Sequence, residues 1–302
     1  MKTLRVLCCP VALLFIAVLS FSAAAATGQN NKEFPAKKEV RIKLVLSGCE
    51  LSASTNGKIQ VELESTYDSD RYEAIMEERG DRLYLKEKFY GDDHHGNAFW
   101  KIAVPPGTEV ECSSATGDIS VNGFEGELEG SSGTGDIEVR KSKGEFELNS
   151  GTGNVEVSLC EGELDLNSGT GTVSISDCKG NIQANSGTGN CRASQVMILD
   201  DAEFNSGTGN CIVTRPAGEM FDMEINSGTG DAVLDLDGMP LVGYFEFKTH
   251  ARRGDIDCPV EFDKEERGGQ DGEEYIRRSF TREKNTPRYF ISTGTGTAEL
   301  KL

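Results

Sequence analysis

The sequence predicts an all-β fold: a single-stack parallel β-solenoid of about 18 residues and two short strands per coil, with an irregular β-rich cap at its N-terminal end. Three observations carry this reading. A tract of the form S-G-T-G-[D/N/T] returns at a fixed interval of 18 residues, and self-similarity at a short period marks stacked repeats. Each interval holds two runs in which apolar and polar residues alternate, the mark of strands with one buried face. The apolar positions also keep the same register from one copy to the next, so stacking lines them up in columns.

The tracts run from Ser113 to Asp118, Ser131 to Asp136, Asn149 to Asn154, Asn167 to Thr172 and Asn185 to Asn190. The spacing then widens to 20 residues between Gly189 and Gly209 and to 21 between Gly209 and Gly230. A degenerate copy follows at Arg252-Arg253-Gly254-Asp255 and a complete one at Ser292 to Thr297.

Taken in order, residues 1–26 have the build of an export signal. Lys2 and Arg5 precede an apolar run, Val11 to Phe21, and Ala23-Ala24-Ala25-Ala26 offers a small-residue cleavage region. The apolar run is short for a bilayer, and none of spanning length follows, so the mature chain is expected outside the cytoplasm with no transmembrane segment. The polar stretch 27–38 reads as flexible. Residues 39–110 form the expected cap, with strands at Val40 to Val45, Lys58 to Leu63, Leu83 to Leu85 and Phe99 to Val104, ending at Pro105-Pro106-Gly107. An open solenoid needs such a cap to cover its unpaired strand edges.

The solenoid itself spans 111–302. In its model coil, Ile137-Glu138-Val139 is one strand, Arg140 to Gly144 a turn, Glu145-Phe146-Glu147-Leu148 the second strand, and Asn149 to Gly153 the return turn. Inward columns are expected at Ile119/Val121, Ile137/Val139, Val155/Val157, Val173/Ile175, Cys191/Ala193, Cys211/Val213, Ala232/Leu234 and Ala298/Leu300. On the second strand they are Leu128, Phe146/Leu148, Leu164/Leu166, Ile182/Ala184, Phe204 and Met223/Ile225. Gly151 and Gly153 are expected to supply positive φ at the turn, with the Thr between them bonded to turn backbone. Asn149, Asn167, Asn185, Asn205 and Asn226 should stack as an amide ladder of structural purpose. Further on, Gly238 to Phe247 breaks the period, and a charged insertion near 263–287 reads as an exposed loop.

Composition narrows the partners. The formal charge is −19, and removal of residues 1–26 leaves 29 basic against 50 acidic residues, or −21. Such a balance excludes nucleic acid and an anionic membrane as partners, and fits cations, cationic polymers or solubility alone. Seven cysteines remain: Cys49, Cys112, Cys160, Cys178, Cys191, Cys211 and Cys258. No C-x-x-C occurs. Cys160 and Cys178 share a register, as do Cys191 and Cys211, and stacked strands lie close enough for a disulfide. Oxidised pairs and buried apolar thiols both remain open at this point.

These residues resemble the putative-adhesin family, a bacterial domain of unknown function built as a β-solenoid. The resemblance covers about residues 40–302 and rests on the repeated S-G-T-G-[D/N] turn, the lead-in Val104 to Thr108 and the closing S-T-G-T-G strand. It implies an exported, non-enzymatic protein of the envelope or cell surface, and some relatives are linked to envelope-stress responses. The degenerate copy at Arg252 and the break at Gly238 to Phe247 depart from the family pattern.

Catalytic chemistry finds little support. Asp92-Asp93-His94-His95 is a tempting metal cluster, but adjacent side chains on an extended chain diverge, and a polar loop tip is the expectation. No nucleophile elbow or phosphate- or dinucleotide-binding loop occurs. Outward acids abound: Glu127/Glu145/Glu163, Glu129/Glu147/Asp165 and Glu138/Glu156. They could nominally supply the carboxylate pair of a carbohydrate-active enzyme, but coils almost free of insertions before residue 194 build no cleft. A calcium-binding β-roll would want an acid in most turns, whereas the last turn position reads Asp118, Asp136, Asn154, Thr172, Asn190, Asn210 and Asp231. The expectation is therefore no catalytic residue, no metal and no cofactor, and a flat acidic wall offered to a cell-surface, cell-wall or protein partner whose binding residues the sequence does not assign.

Overall fold

The computed structural model describes residues 29–91, 95–269, 274–283 and 287–302. The expected export signal lies outside these residues. Seven strands come first: β1 (Gln29–Phe34), β2 (Glu39–Leu44), β3 (Gly48–Ala53), β4 (Ile59–Ser65), β5 (Tyr72–Arg79), β6 (Arg82–Phe89) and β7 (Ala98–Val104). The regular stack follows as β8 (Thr108–Ser114), β9 (Ile119–Asn122), β10 (Glu125–Ser132), β11 (Ile137–Arg140), β12 (Lys143–Ser150), β13 (Val155–Ser158), β14 (Glu161–Ser168), β15 (Val173–Ser176), β16 (Lys179–Ser186), β17 (Cys191–Ser194), β18 (Met197–Ser206), β19 (Cys211–Thr214), β20 (Asp222–Ser227) and β21 (Ala232–Asp235). Six more close the chain: β22 (Gly243–His250), β23 (Asp255–Asp257), β24 (Lys264–Gly268), β25 (Tyr275–Arg282), β26 (Arg288–Thr293) and β27 (Thr297–Lys301).

Through the stack, even-numbered strands of six to ten residues build a broad sheet and four-residue odd-numbered strands a narrow one. Each coil contributes one strand to each sheet, and neighbouring coils pair in parallel, in unbroken register except at one bulge. Val139 lies beside Val157, and Val157 beside Ile175. Phe146 lies between Leu128 and Leu164. All the expected inward positions are buried, so the two inner faces meet in a dry core. One register shift interrupts the broad sheet, between Gly180 and Ile182, where β18 bulges and the coil lengthens.

The structure departs from expectation in four ways. The stretch read as flexible contains β1, antiparallel to β4 with Phe34 buried. An edge strand needs only backbone partners, so polarity did not preclude it. The cap's irregularity lies in its order and not in its coils: β2–β3 stacks directly on β8–β9, and β6–β7 stacks beneath β2–β3. Chain order and stack order differ because β4 and β5 run antiparallel beside β7 and β6 before the chain returns to β8.

The same device closes the other end. The last coil, β26–β27, lies between β20–β21 and β22–β23. The charged insertion is likewise not a loop among the described residues, because β24 and β25 form an antiparallel pair and β25 continues onto β22. Phe280 anchors it, fully buried and stacked 4.8 Å from Phe245. The strand-favouring Tyr275, Ile276, Phe280 and Thr281 carried that information, but the arginines among them masked it.

The fourth correction concerns the turn glycines. Gly151 and Gly153 are absent from the positive-φ residues, which instead include the column Gly126, Gly144, Gly162 and Gly180 at the opposite turn. A methyl on Gly153 would run into the carbonyl of Gly135 one coil below, and one on Gly151 into that of Gly133. Close stacking of backbones, rather than handedness, excludes a side chain there.

Candidate functional site: turn ladders and the acidic wall

Because the interior is filled, chemistry is confined to turns, walls and ends. At the return turns a buried hydroxyl donates to the coil below, and in several coils it also accepts an N–H of its own turn. Ser150 Oγ accepts the N–H of Gly153 at 2.9 Å and donates to the carbonyl of Gly135 in the coil below at 3.0 Å. Ser132 and Ser168 repeat the arrangement, and Thr293 does so in the final coil. This column was missed in the sequence, although a Ser at the same turn position in coil after coil was the available signal.

The last turn position has its own ladder. Asp136 Oδ1 accepts the N–H of Asn154 at 2.6 Å, Asn154 Oδ1 that of Thr172 at 2.9 Å, and Asn210 Oδ1 that of Asp231 at 3.0 Å. Only an acceptor oxygen is required, which explains why Asp and Asn interchange. The asparagine ladder runs from Asn167 through Asn185 and Asn205 to Asn226, with steps of 2.8–3.0 Å. Asn149, expected in it, instead donates to Glu147 at 3.3 Å. The turn threonines bond as expected to backbone, Thr208 Oγ1 donating to the carbonyl of Thr188 at 3.1 Å.

The outer wall of the broad sheet carries the charge. Strand alternation points Glu127, Glu145 and Glu163 outward in one column and Glu129, Glu147 and Asp165 in the next, paired in register across β10, β12 and β14. Rows are ~4.8 Å apart. Among the described residues no basic side chain pairs with any of these six, whereas Glu109, Glu111, Glu161 and Asp222 on the same sheet are paired. Glu111 meets Lys43 at 3.3 Å, Glu161 meets Lys179 at 3.3 Å and Lys143 at 3.4 Å, and Asp222 meets Arg288 at 3.2 Å. Hydrogen bonding to Lys179 and the charge of Lys143 hold the Glu161 carboxyl below its usual range. Residues 105–236 hold 23 acidic and 6 basic residues, a balance of −17, so nearly the whole charge of the molecule lies on the stack.

The narrow sheet presents open troughs, one of about 300 Å³ lined by residues including Glu156, Ser174, Arg192 and Thr214, and one of about 420 Å³ over the cap lined by residues including Glu33, Gln60 and Lys101. Of the tempting cluster, Asp92, Asp93 and His94 lie outside the described residues, and His95 is exposed. Among the described residues no group of three or more His, Cys, Asp or Glu comes together to hold a metal ion, and no helix is long and apolar enough to cross a membrane.

At the N-terminal end a buried carboxylate organises the first coils. Glu87 accepts from the Val45 N–H at 2.9 Å, from Tyr72 Oη and Trp100 Nε1 at 3.0 Å each, and from the Ser47 hydroxyl. Burial, with the Glu87 charge second, pushes the Tyr72 hydroxyl up. The seven described cysteines are free thiols, six of them buried. Cys160 and Cys178 donate to the carbonyls of Ser158 and Ser176 at 3.2 Å, and Cys211 to that of Phe204 at 3.2 Å.

The described residues thus form a parallel β-solenoid with a filled interior. Its sequence matches Toastrack DUF4097 over residues 50–255, and the chain belongs to that family. Similar solved structures include a lipid binding protein, described as putative, from Parabacteroides distasonis (12% identity, TM-score 0.45, covering 92% of this chain and 98% of that one). Others are a putative adhesin from Bacteroides fragilis (10%, 0.38, 91% and 98%) and a putative cell adhesion protein from Clostridium sporogenes (12%, 0.28, 91% and 99%). The comparison with curated proteins returned no significant match.

Proposed function

We propose that this is an exported, non-catalytic, adhesin-like module that presents the acidic wall of its broad sheet to a cationic partner at the cell surface or cell wall. The observation that carries the reading is the array of six outward carboxylates, Glu127, Glu129, Glu145, Glu147, Glu163 and Asp165, in register on a wall where Glu111 and Glu161 have basic partners and these, among the described residues, do not. Stacked like charges repel, and a partner bearing amines would relieve that repulsion along the whole column. The rigid spacing of the coils suits a repetitive polymer better than a small molecule. Calcium bridging has less support, because the turn acids Asp118, Asp136 and Asp231 each already use an oxygen to accept a backbone N–H.

The test compares the parent with the variant E127Q/E129Q/E145Q/E147Q/E163Q/D165N for retention on an amine-bearing polysaccharide and on isolated cell walls. The parent should be retained and released by salt, and the variant should lose most of its retention. Equal retention of both would remove the wall from the function. Recovery of the parent in the cytoplasmic fraction of its host would remove export.

A further inference from the structure

We infer that Cys49 and Cys112 form a disulfide that ties the narrow sheet to the broad sheet across the core. Cys49 lies on β3 and Cys112 on β8, both at most 1% exposed, with their Sγ atoms 3.3 Å apart although 63 residues separate them in sequence. A disulfide needs about 2.05 Å between sulfurs, so closure requires a movement of roughly 1.3 Å. The other buried cysteines are placed differently. Cys160 and Cys178, like Cys191 and Cys211, occupy successive coils on one side of the core, and their sulfurs donate to carbonyl oxygens. Cys258 has only partial burial. Cys160 and Cys178, and likewise Cys191 and Cys211, also interact through their thiols, but between successive coils; the Cys49–Cys112 contact is the one of these that joins opposite sheets.

The position gives the bond a purpose. β3 belongs to the coil enclosed between β6–β7 and β8–β9, and the chain travels through β4 to β7 before β8 returns beside β2. A bond between β3 and β8 fixes that return. It closes a long loop, the case in which a cross-link restricts the unfolded chain most.

In an oxidising compartment the step is thiol–disulfide exchange. One cysteine thiolate attacks a sulfur of an oxidised dithiol such as glutathione disulfide and releases one glutathione thiolate. The second cysteine thiolate then attacks the mixed disulfide and releases another. Two protons leave the cysteines, and two electrons reduce one glutathione disulfide to two thiols. With both sulfurs sealed in the folded protein, exchange takes place before the sheets close.

The physiological occurrence of the bond rests on the export reading, but its chemistry can be measured separately. The full chain is refolded with oxidised and reduced glutathione, unfolded, alkylated and mapped by mass spectrometry. The expected result is a peptide joining Cys49 to Cys112, about 2 Da lighter than its two reduced parts, with Cys160, Cys178, Cys191, Cys211 and Cys258 alkylated. The melting midpoint of the oxidised protein should exceed that of the reduced one by roughly 10 °C, and C49S and C112S should lose this difference. Alkylation of both Cys49 and Cys112, or a bond from either to another cysteine, overturns the inference. The peptide map needs only the parent protein, so it stands even where a serine variant fails to fold. Fractionation of the host reports on export independently of this result.

Discussion

At the scale of single residues, the turn is held by oxygens that each serve two coils. Ser150 replaces water for one N–H and one carbonyl, and Asp136 satisfies the Asn154 N–H of the next coil. Neither role uses the negative charge of Asp136, and that distinction is measurable. Asp136→Asn keeps the acceptor and should leave stability nearly unchanged, while Asp136→Ala strands an N–H and should cost about 1 kcal/mol. Denaturant titration of both variants, with and without calcium, decides the matter. A calcium-dependent gain in the parent that vanishes in Asp136→Asn would mean that the turn column binds the ion after all. The glycines follow the same logic of close contact: at Gly153 the obstacle to a side chain is the Gly135 carbonyl below, and the sequence alone cannot distinguish this cause from a requirement for positive φ.

At the scale of the coil, burial is decided by register. Phe146 is 1% exposed, lies between Leu128 and Leu164, and meets the ring of Phe124 edge-on at 6.3 Å. Phe146→Ala should cost about 3–5 kcal/mol, and Phe146→Asp, which places an unpaired charge in a dry core, should abolish cooperative unfolding. A parental melt for Phe146→Asp would contradict the observed packing. Neighbouring coils are also tied along the wall, where Lys143, Glu161 and Lys179 form a chain of charges. Since the folded Glu161 carboxyl lies below its usual range, its contribution is present at neutral pH and is lost as pH falls through the folded value. An acid titration of stability should therefore lose part of its low-pH limb in Glu161→Gln.

These columns were legible beforehand because an 18-residue period and two-residue alternation fix which side chains face inward. The wall acids Glu127, Glu145 and Glu163 were legible for the same reason. Sequence order concealed the rest. Nothing local in Arg82 to Val104 says that β6 and β7 lie beyond β2 and β3, or in Arg288 to Lys301 that β26 and β27 intervene before β22 and β23. Those placements follow from long-range pairing, which a local pattern does not encode.

At the scale of the molecule, the interposed coils turn both ends into closures. The second coil from each end is enclosed on both sides, so neither the β2–β3 coil nor the C-terminal β26–β27 coil lies at the stack's end. Both sheets then finish at the N-terminal end in antiparallel strands, and charged β24 covers the broad sheet at the other, which discourages further strand addition. Between these closures lies a block of −17 whose outward carboxylates stand in register. The core must hold that block together against its own repulsion, and the repulsion is subject to screening. Raising sodium chloride from about 10 mM to about 0.5 M shortens the Debye length from ~30 Å to less than ~10 Å, so the melting midpoint of the parent should rise. In the variant E127Q/E129Q/E145Q/E147Q/E163Q/D165N the midpoint should start higher at low salt and respond less. A salt response identical in parent and variant would show that the wall carboxylates lie too far apart, or too well solvated, to strain the stack, and would leave a cationic partner nothing to relieve.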